Sequence, residues 1–478
     1  MRSLTSRLFH ILALTIAVGT LPAASLDEQT RTMARDIFQQ LIEINTTDSV
    51  GSTTRAAEAM AKRLLDAGFA PEDVKVLGPN ERKGNLVVRF HGSGARKPIL
   101  IIGHLDVVEA RREDWTTDPF QFVEKGGYFY GRGTQDMKVN DAILITDFIR
   151  LHRENYRPDR DLILALTADE EGGKSNGVDW LLTNHRDLID AAFVLNADAG
   201  GVTTVKGKPV NVDVEASEKL YADFQLTAKN PGGHSSLPTP DNAIYHVADA
   251  LGRLEQHPFP FELNAVTRTY FERRAGLETG QTALDMKAIV RPTPDAAAIA
   301  RLSKDARYNS LIHTTCVATM MTAGHAPNAL PQLAQANVNC RILPGHSAEG
   351  IRQALIKIFA DPQVVVKFVD DAGKVSDKAP DKKSFATVLP PDEVLKPLAR
   401  IADEMWMGVP VIPEMETGAS DSIYTIAAGL PSYGVNGVAV DQDDIRAHGK
   451  DERVRVSAYY DGVEFYYRYL KALTSLLP

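Results

Sequence analysis

Side chains able to hold a cation or move a proton recur in this chain at one kind of place, the end of a short apolar run. They are His104 and Asp106 in "GHLD", Asp136 in "YGRGTQDMK", Glu170 and Glu171 in "TADEEGG", Asp198 in "LNADAGG" and His448 in "AHGKDERV". Taken singly, each has an ordinary explanation: an Asp caps a turn, a Glu pair decorates a solvated edge, a lone His sits on the surface. Together they read differently. Carboxylates converging beside strand ends repel one another and raise their own pKa values unless a cation holds them. Two imidazoles with several carboxylates form a mixed nitrogen and oxygen donor set suited to zinc, or to manganese or cobalt. The groups are too many for one tetrahedral catalytic ion, whereas two divalent ions sharing one carboxylate account for all of them.

The elements that must position these residues are legible as an alternation. Helical apolar spacing over "SLDEQTRTMARDIFQQLIEINTT" and "TTRAAEAMAKRLLDAGF" precedes short strand-like runs at "GNLVVRF", "KPILIIGHLDVV", "DLILALTADEEGG" and "AAFVLNADAGG". Helical segments "VNDAILITDFIRLHRE" and "NGVDWLLTNHRDLI" separate several of them, the pattern of an α/β layer structure. In open α/β sheets functional groups gather at the carboxyl ends of the strands, where every acidic or His cluster falls here. Near residue 212 the character changes. "NVDVEASEKLYADFQLTAKN" alternates as a half-exposed strand, and a strand–helix–strand–strand–helix–strand order follows, ending at "QVVVKFVD". That is the ferredoxin-like order. The expected fold is therefore a mixed-sheet α/β catalytic domain with helices on both faces, formed by 26–212 and 385–478. A ferredoxin-like α+β lid or dimerisation domain over 213–384 interrupts it.

At 478 residues two domains are the natural expectation. The apolar share of 44%, charged share of 24% and net charge of −9 describe a globular protein with no basic tract, which argues against nucleic acid as a partner. Residues 1–25 have Arg2 and Arg7, an apolar stretch and then small residues, the layout of an export signal. The expected location is secreted or periplasmic, with no stable membrane span after processing. Two cysteines, Cys316 and Cys340, make no disulfide framework. They would face each other if "LIHTTCVATMM" and "QANVNCRIL" form a hairpin centred near Asn328, but two buried free thiols are the plainer expectation.

The ordered set "GHLDVV … GRGTQDMK … TADEEGG … NADAG … GGHSS … HGKDER" resembles the dizinc metallopeptidase family of aminoacylase, carboxypeptidase G and succinyl-diaminopimelate desuccinylase. The likeness spans essentially the whole chain after the signal, lid included. It implies that Asp136 bridges two metal ions, most simply zinc, with His104 and Asp198 on one ion and Glu171 and His448 on the other. It implies that Asp106 hydrogen-bonds the far nitrogen of His104, that the Asp136–Met137 peptide is cis, and that Glu170 is the general base. From the lid it implies that His234 stabilises an oxyanion and that Arg341 pairs with a substrate carboxylate. Asn328 and the "TGASD" turn, with Gly418, Ala419 and Ser420, are further substrate contacts on this reading. Departures are Val139 and Asn140 after "DMK", Ala419 in the late turn, and a long charged insertion near 255–310.

The implied activity is hydrolysis of an amide bond beside a free carboxylate, as by a carboxypeptidase, a dipeptidase or an N-acyl amino acid deacylase. A homodimer through the lid accompanies it in the family. A dizinc aminopeptidase and a non-catalytic binding relative of the same fold are the alternatives. The latter is disfavoured because every expected ligand and the base are present.

Overall fold

The computed structural model describes residues 26–370, 373–381 and 389–475. The export signal read over 1–25 and the boundary drawn between 384 and 385 lie outside the described residues.

The central strands Asn85–Phe90, Ile99–His104, Leu162–Thr167 and Phe193–Asn196 are apolar runs of four to six residues, buried almost throughout. A strand covered on both faces reads as continuous apolar sequence rather than alternation. They belong to a ten-stranded mixed sheet. Ile99–His104 lies at its centre, paired in parallel with Leu162–Thr167 on one side and Phe193–Asn196 on the other. Helices Glu28–Glu43, Thr53–Asp66, Lys138–Arg153, Asp392–Trp406 and Val456–Thr474 bury apolar residues in the core on one face. Gly177–Asn184 and Arg186–Ile189 cover the other through Leu181 and Ile189. The first helix starts where Asp27 accepts the Thr30 N–H at 2.9 Å, satisfying one of its free donors.

The run read as a single half-exposed strand after residue 212 is two strands in two sheets. Lys208–Glu218 belongs to the large sheet and Leu220–Lys229 to a second, five-stranded antiparallel one. The crossing falls at Lys219, later than the boundary drawn at 213. Its N–H donates to the Glu416 carbonyl at 3.1 Å and its buried ammonium to the His313 carbonyl at 2.8 Å. The misreading has a physical cause: Asp213, Glu215 and Glu218 look like solvent-facing positions, yet all three are buried. Asp213 is satisfied by Thr203 and Asn211, and Glu218 by Ser420.

In the second sheet Leu220–Lys229 lies between Leu333–Ile342 and Val365–Val369, with Thr315–Ala323 beyond Leu333–Ile342, and helices Ala243–Glu255 and Ala348–Phe359 pack on one face. The hairpin pairs Cys316 directly opposite Cys340, and the two sulfurs form a disulfide. This corrects the expectation of free thiols: the register brings the two Cα atoms to 4.1 Å. The charged insertion is ordered as four short helices between Ala265 and Ile312. Their apolar residues Val266, Phe271, Met286 and Ile289 pack with Ala216, Ile412 and Met415 of the large sheet, so the insertion buttresses the catalytic sheet.

Two outcomes follow for the hairpin. Denatured, unreduced protein should show no free thiol, and two titratable thiols would refute the pairing. Because the bond closes a loop with a sequence separation of 24, its loss should destabilise the lid by about 3 kcal/mol on loop entropy, read as a lowered urea midpoint after reduction.

Candidate active site

Three neighbouring parallel strands end side by side, and this brings the chemistry together. His104 is the last residue of the central strand, Glu170 and Glu171 follow Leu162–Thr167, and Asp198 follows Phe193–Asn196. Asp136 enters from the loop before the helix Lys138–Arg153, across a cis peptide to Met137. That helix starts close beneath the strand: a Cβ on Gly103 would lie 2.7 Å from Met137 Cε and 2.8 Å from Asp141 Oδ1. A side chain at 103 would have to displace both of these groups. His448 arrives from the opposite end of the sequence.

Asp136 stands between the two imidazoles. Its Oδ1 lies 3.1 Å from His104 Nε2 and its Oδ2 3.0 Å from His448 Nε2. His104 Nε2 is also 3.5 Å from Asp198 Oδ1, and His448 Nε2 is 2.9 Å from Glu171 Oε2. His104, Asp136 and Glu171 each offer one ligand atom, all within 4.8 Å of one another. Glu170 approaches His104 Nε2 only to 3.9 Å, beyond hydrogen-bond reach. It is the carboxyl left over by both histidines.

The electrostatics carry the strain of this crowding. Burial pushes Glu170 up to about 10, with the charges of Asp198 and Asp421 adding to it. Burial likewise raises Asp198. Asp136 is held low against its burial by the hydrogen bonds from His104 and His448. His448 is drawn up to about 10 by its bonds to Asp136 and Glu171. Buried carboxylates that cannot all ionise beside two imidazoles are a donor set short of positive charge, and divalent cations fit that deficit.

Two sequence expectations are corrected. Asp106 does not bond the ring of His104 through its carboxylate, which is 3.8 Å from Nδ1; the Asp106 backbone carbonyl takes that place at 3.1 Å. The carboxylate instead accepts the N–H of Glu170 at 3.2 Å and of Glu171 at 3.0 Å. Asp106, two residues past the histidine, therefore aims both glutamates, because two backbone donors on the next loop outcompete a ring nitrogen for it. Ser420 does not offer its hydroxyl to a cleft. It is buried, donates to Glu218 at 2.5 Å, and accepts from Asn196 Nδ2 at 2.9 Å and from Ser422 N at 3.1 Å. Gly418 lies in the same turn, its N–H held by Glu416 at 2.8 Å.

The lid residues form a second group. His234 and Ala329 pair in a small two-stranded ribbon, and Ser235 N–H donates to the Asn328 carbonyl at 3.1 Å, so His234 and Asn328 are neighbours. His234 is exposed, with Nδ1 bonded to the Ser236 hydroxyl at 2.7 Å. Arg341 lies over the Tyr221 ring at 4.6 Å, and Tyr221 donates to Asp223 at 2.5 Å. Among the described residues no hydrogen bond or ion pair joins His234, Asn328 or Arg341 to the His104–His448 cluster.

Several supporting residues escaped the sequence reading. Asn196 donates to Ser420 and accepts the Asp198 N–H at 3.1 Å. Asp421 accepts from Asn176 Nδ2 at 2.7 Å and from Thr167 at 3.1 Å, and burial lifts it to about 7. Lys138, fully buried, donates to the Leu41 and Ile44 carbonyls and ties the first helix to the Asp136 loop. Asp421 lies in the "TGASD" turn, and Glu452 in "HGKDER" accepts the Gln135 and Asp136 N–H groups at 2.6 and 3.1 Å, yet nothing in a sequence shows which backbone such a polar residue will bind.

Comparison with known proteins agrees with this geometry. The model of Peptidase family M20/M25/M40 matches residues 100–472. An N-fatty-acyl-amino acid synthase/hydrolase of Xenopus tropicalis is 28% identical over 375 residues, covering 77% of this chain and 71% of the relative. A probable carboxypeptidase S-like protein of Dictyostelium discoideum is 27% identical over 409 residues, covering 78% and 71%. The fold is that of a metallo-carboxypeptidase from Sulfolobus solfataricus, with a TM-score of 0.64 at 17% identity, covering 94% of this chain and 100% of the other. Since the family match runs from the central strand into the last helix and takes in the whole donor cluster, this chain belongs to peptidase family M20/M25/M40, a family of metal-dependent hydrolases.

Proposed function

We propose that the protein is an exported hydrolase of amide bonds adjacent to a free carboxylate, acting on N-acyl amino acids or short peptides with two divalent cations, most simply zinc, at the His104–His448 cluster. The observation that carries this reading is the sharing of Asp136 between two imidazoles, with Glu170 left uncommitted beside them. On this reading the cations would be held by Asp136, shared between them, with His104 and Asp198 offered to one and Glu171 and His448 to the other. Bound there, the cations supply Lewis acidity and lower the pKa of a shared water.

The chain's own residues do the rest. Glu170 takes the proton of the attacking water and returns it to the departing amine. Asp106 keeps Glu170 and Glu171 apart in role by gripping both backbone N–H groups. His234 donates to the oxygen that gains charge in the tetrahedral transition state, once lid and substrate bring it there. Arg341 receives the substrate carboxylate. Support for this is that it has no acidic partner among the described residues and rests on a ring that is itself anchored. The curated relatives include N-fatty-acyl-amino acid synthase/hydrolases, whose named substrates fit this class. A homodimer through the lid fits the exposed outer strand Thr315–Ala323, where Val317, Met320 and Met321 face solvent.

A panel of N-acyl amino acids and dipeptides tests the reading. Release of free amino acid should stop with a chelator and return on adding zinc, manganese or cobalt. Inactivity across the panel at full metal content would instead favour a binding protein.

The residue roles separate in kinetics. Glu170→Ala should bind metal normally and lose about 10³-fold in kcat; activity within a few-fold of wild type would remove it as the base. Arg341→Ala should raise KM by roughly thirtyfold, about 2 kcal/mol, with kcat within about threefold. A fall confined to kcat would show that it does not bind the ground-state carboxylate.

A further inference from the structure

The loop that carries Asp136 and the loop that carries His448 lie far apart in sequence, yet each sends one side chain into the backbone of the other. Glu452, with no exposed surface, accepts from Arg132 Nη1 at 2.6 Å, Gly133 N at 3.2 Å, Gln135 N at 2.6 Å and Asp136 N at 3.1 Å. Gln135 answers in the other direction. Its amide nitrogen donates to the carbonyls of Asp444 at 3.0 Å and Arg453 at 2.8 Å, and its amide oxygen accepts from Arg446 N at 2.7 Å and Ala447 N at 3.0 Å. His448 is gripped between these points, and Arg132 Nη2 donates to its carbonyl at 3.3 Å.

The inventory of bonds decides what this pair can do. A carboxylate has about four acceptor positions and a primary amide two donors and two acceptors. Four donors meet Glu452, and Gln135 has both donors and both acceptors engaged. Neither retains capacity to ligate a cation, touch substrate or move a proton. What they set is a distance, the 3.0 Å between His448 Nε2 and Asp136 Oδ2.

We propose that Glu452 and Gln135 are reciprocal positioning residues, each clamping the other's loop so that His448 and Asp136 are presented together to one and the same cation. The inference rests on the metal reading above. It assigns a role to two residues outside the ligand set, and it predicts that their loss acts on one metal site more than on the other. His104 ends one strand and Asp198 follows another, and among the described residues neither bonds Glu452 or Gln135.

The test is zinc titration by calorimetry into chelator-stripped protein, comparing wild type with Glu452→Gln and Gln135→Glu, and with His448→Ala to mark the step that depends on that ligand. In Glu452→Gln an NH2 group faces N–H donors. In Gln135→Glu a carboxylate faces two carbonyls. Both variants should keep the His448-independent step and weaken the His448-dependent step by about 10- to 100-fold, with a smaller zinc-induced rise in melting temperature than wild type shows. A merely structural role would lower the melting temperature of the metal-free protein and leave both zinc steps unchanged. Two steps within threefold of wild type in either folded variant would overturn the clamp. If Glu452→Gln does not fold, Gln135→Glu decides alone. Wild type without two zinc steps would overturn the metal reading itself, and the clamp with it.

Discussion

One carboxylate shared by two imidazoles organises this protein. Asp136 reaches His104 with one oxygen and His448 with the other, and Asp198, Glu170 and Glu171 crowd the same space. Such a group cannot assemble from a flexible surface, since like charges this close push apart and each demands desolvation. It persists because His104, Glu170, Glu171 and Asp198 end or follow three adjoining parallel strands buried on both faces, while Asp136 and His448 come in on loops that Glu452 and Gln135 fasten to each other. The functional cluster is where the regularity of the sheet stops.

Around that cluster a layer of buried polar side chains does the aiming. Asp106 holds the Glu170 and Glu171 backbones, Asn196 holds the Asp198 backbone, and Lys138 ties the first helix to the Asp136 loop. Asp106 and Asn196 satisfy backbone groups that follow strand endings, and Lys138 those at the end of the first helix; a buried donor or acceptor left unpaired is costly. Positioning and polar satisfaction are thus one event. For Asp106 and Asn196, the backbone atoms that need partners belong to the residues whose side chains must be placed.

The lid follows different rules. Its sheet buries one face under two helices and leaves the other polar, with Asp223 collecting the amides of Asn337 and Asn339 at 2.9 and 3.0 Å. Arg341 lies over Tyr221 on that polar face. The disulfide ties the outer strand to the strand that carries Arg341. The inserted helices bury their apolar residues against the strand Val411–Glu416, so a segment that looks like lid decoration is in energetic terms part of the catalytic domain.

The sequence alone determined the strand-and-helix alternation, the ferredoxin-like order of the second sheet and the group of residues that converges. The reason is that buried parallel strands must be continuous apolar runs, and chemistry at their ends must appear as abrupt acidic or His residues, as in "IIGHLD" and "LTADEE". Tertiary structure decided which polar group answers which. The Asp106 carboxylate turned to two backbone N–H groups rather than to an imidazole, Ser420 turned inward to Glu218, and Glu452 met a backbone more than three hundred residues away. It also decided that Glu215 and Glu218 are interior, that the chain changes sheets at Lys219 and that Cys316 meets Cys340. Hydrogen bonds depend on direction and on what else competes within about 3 Å, and one-dimensional spacing holds neither.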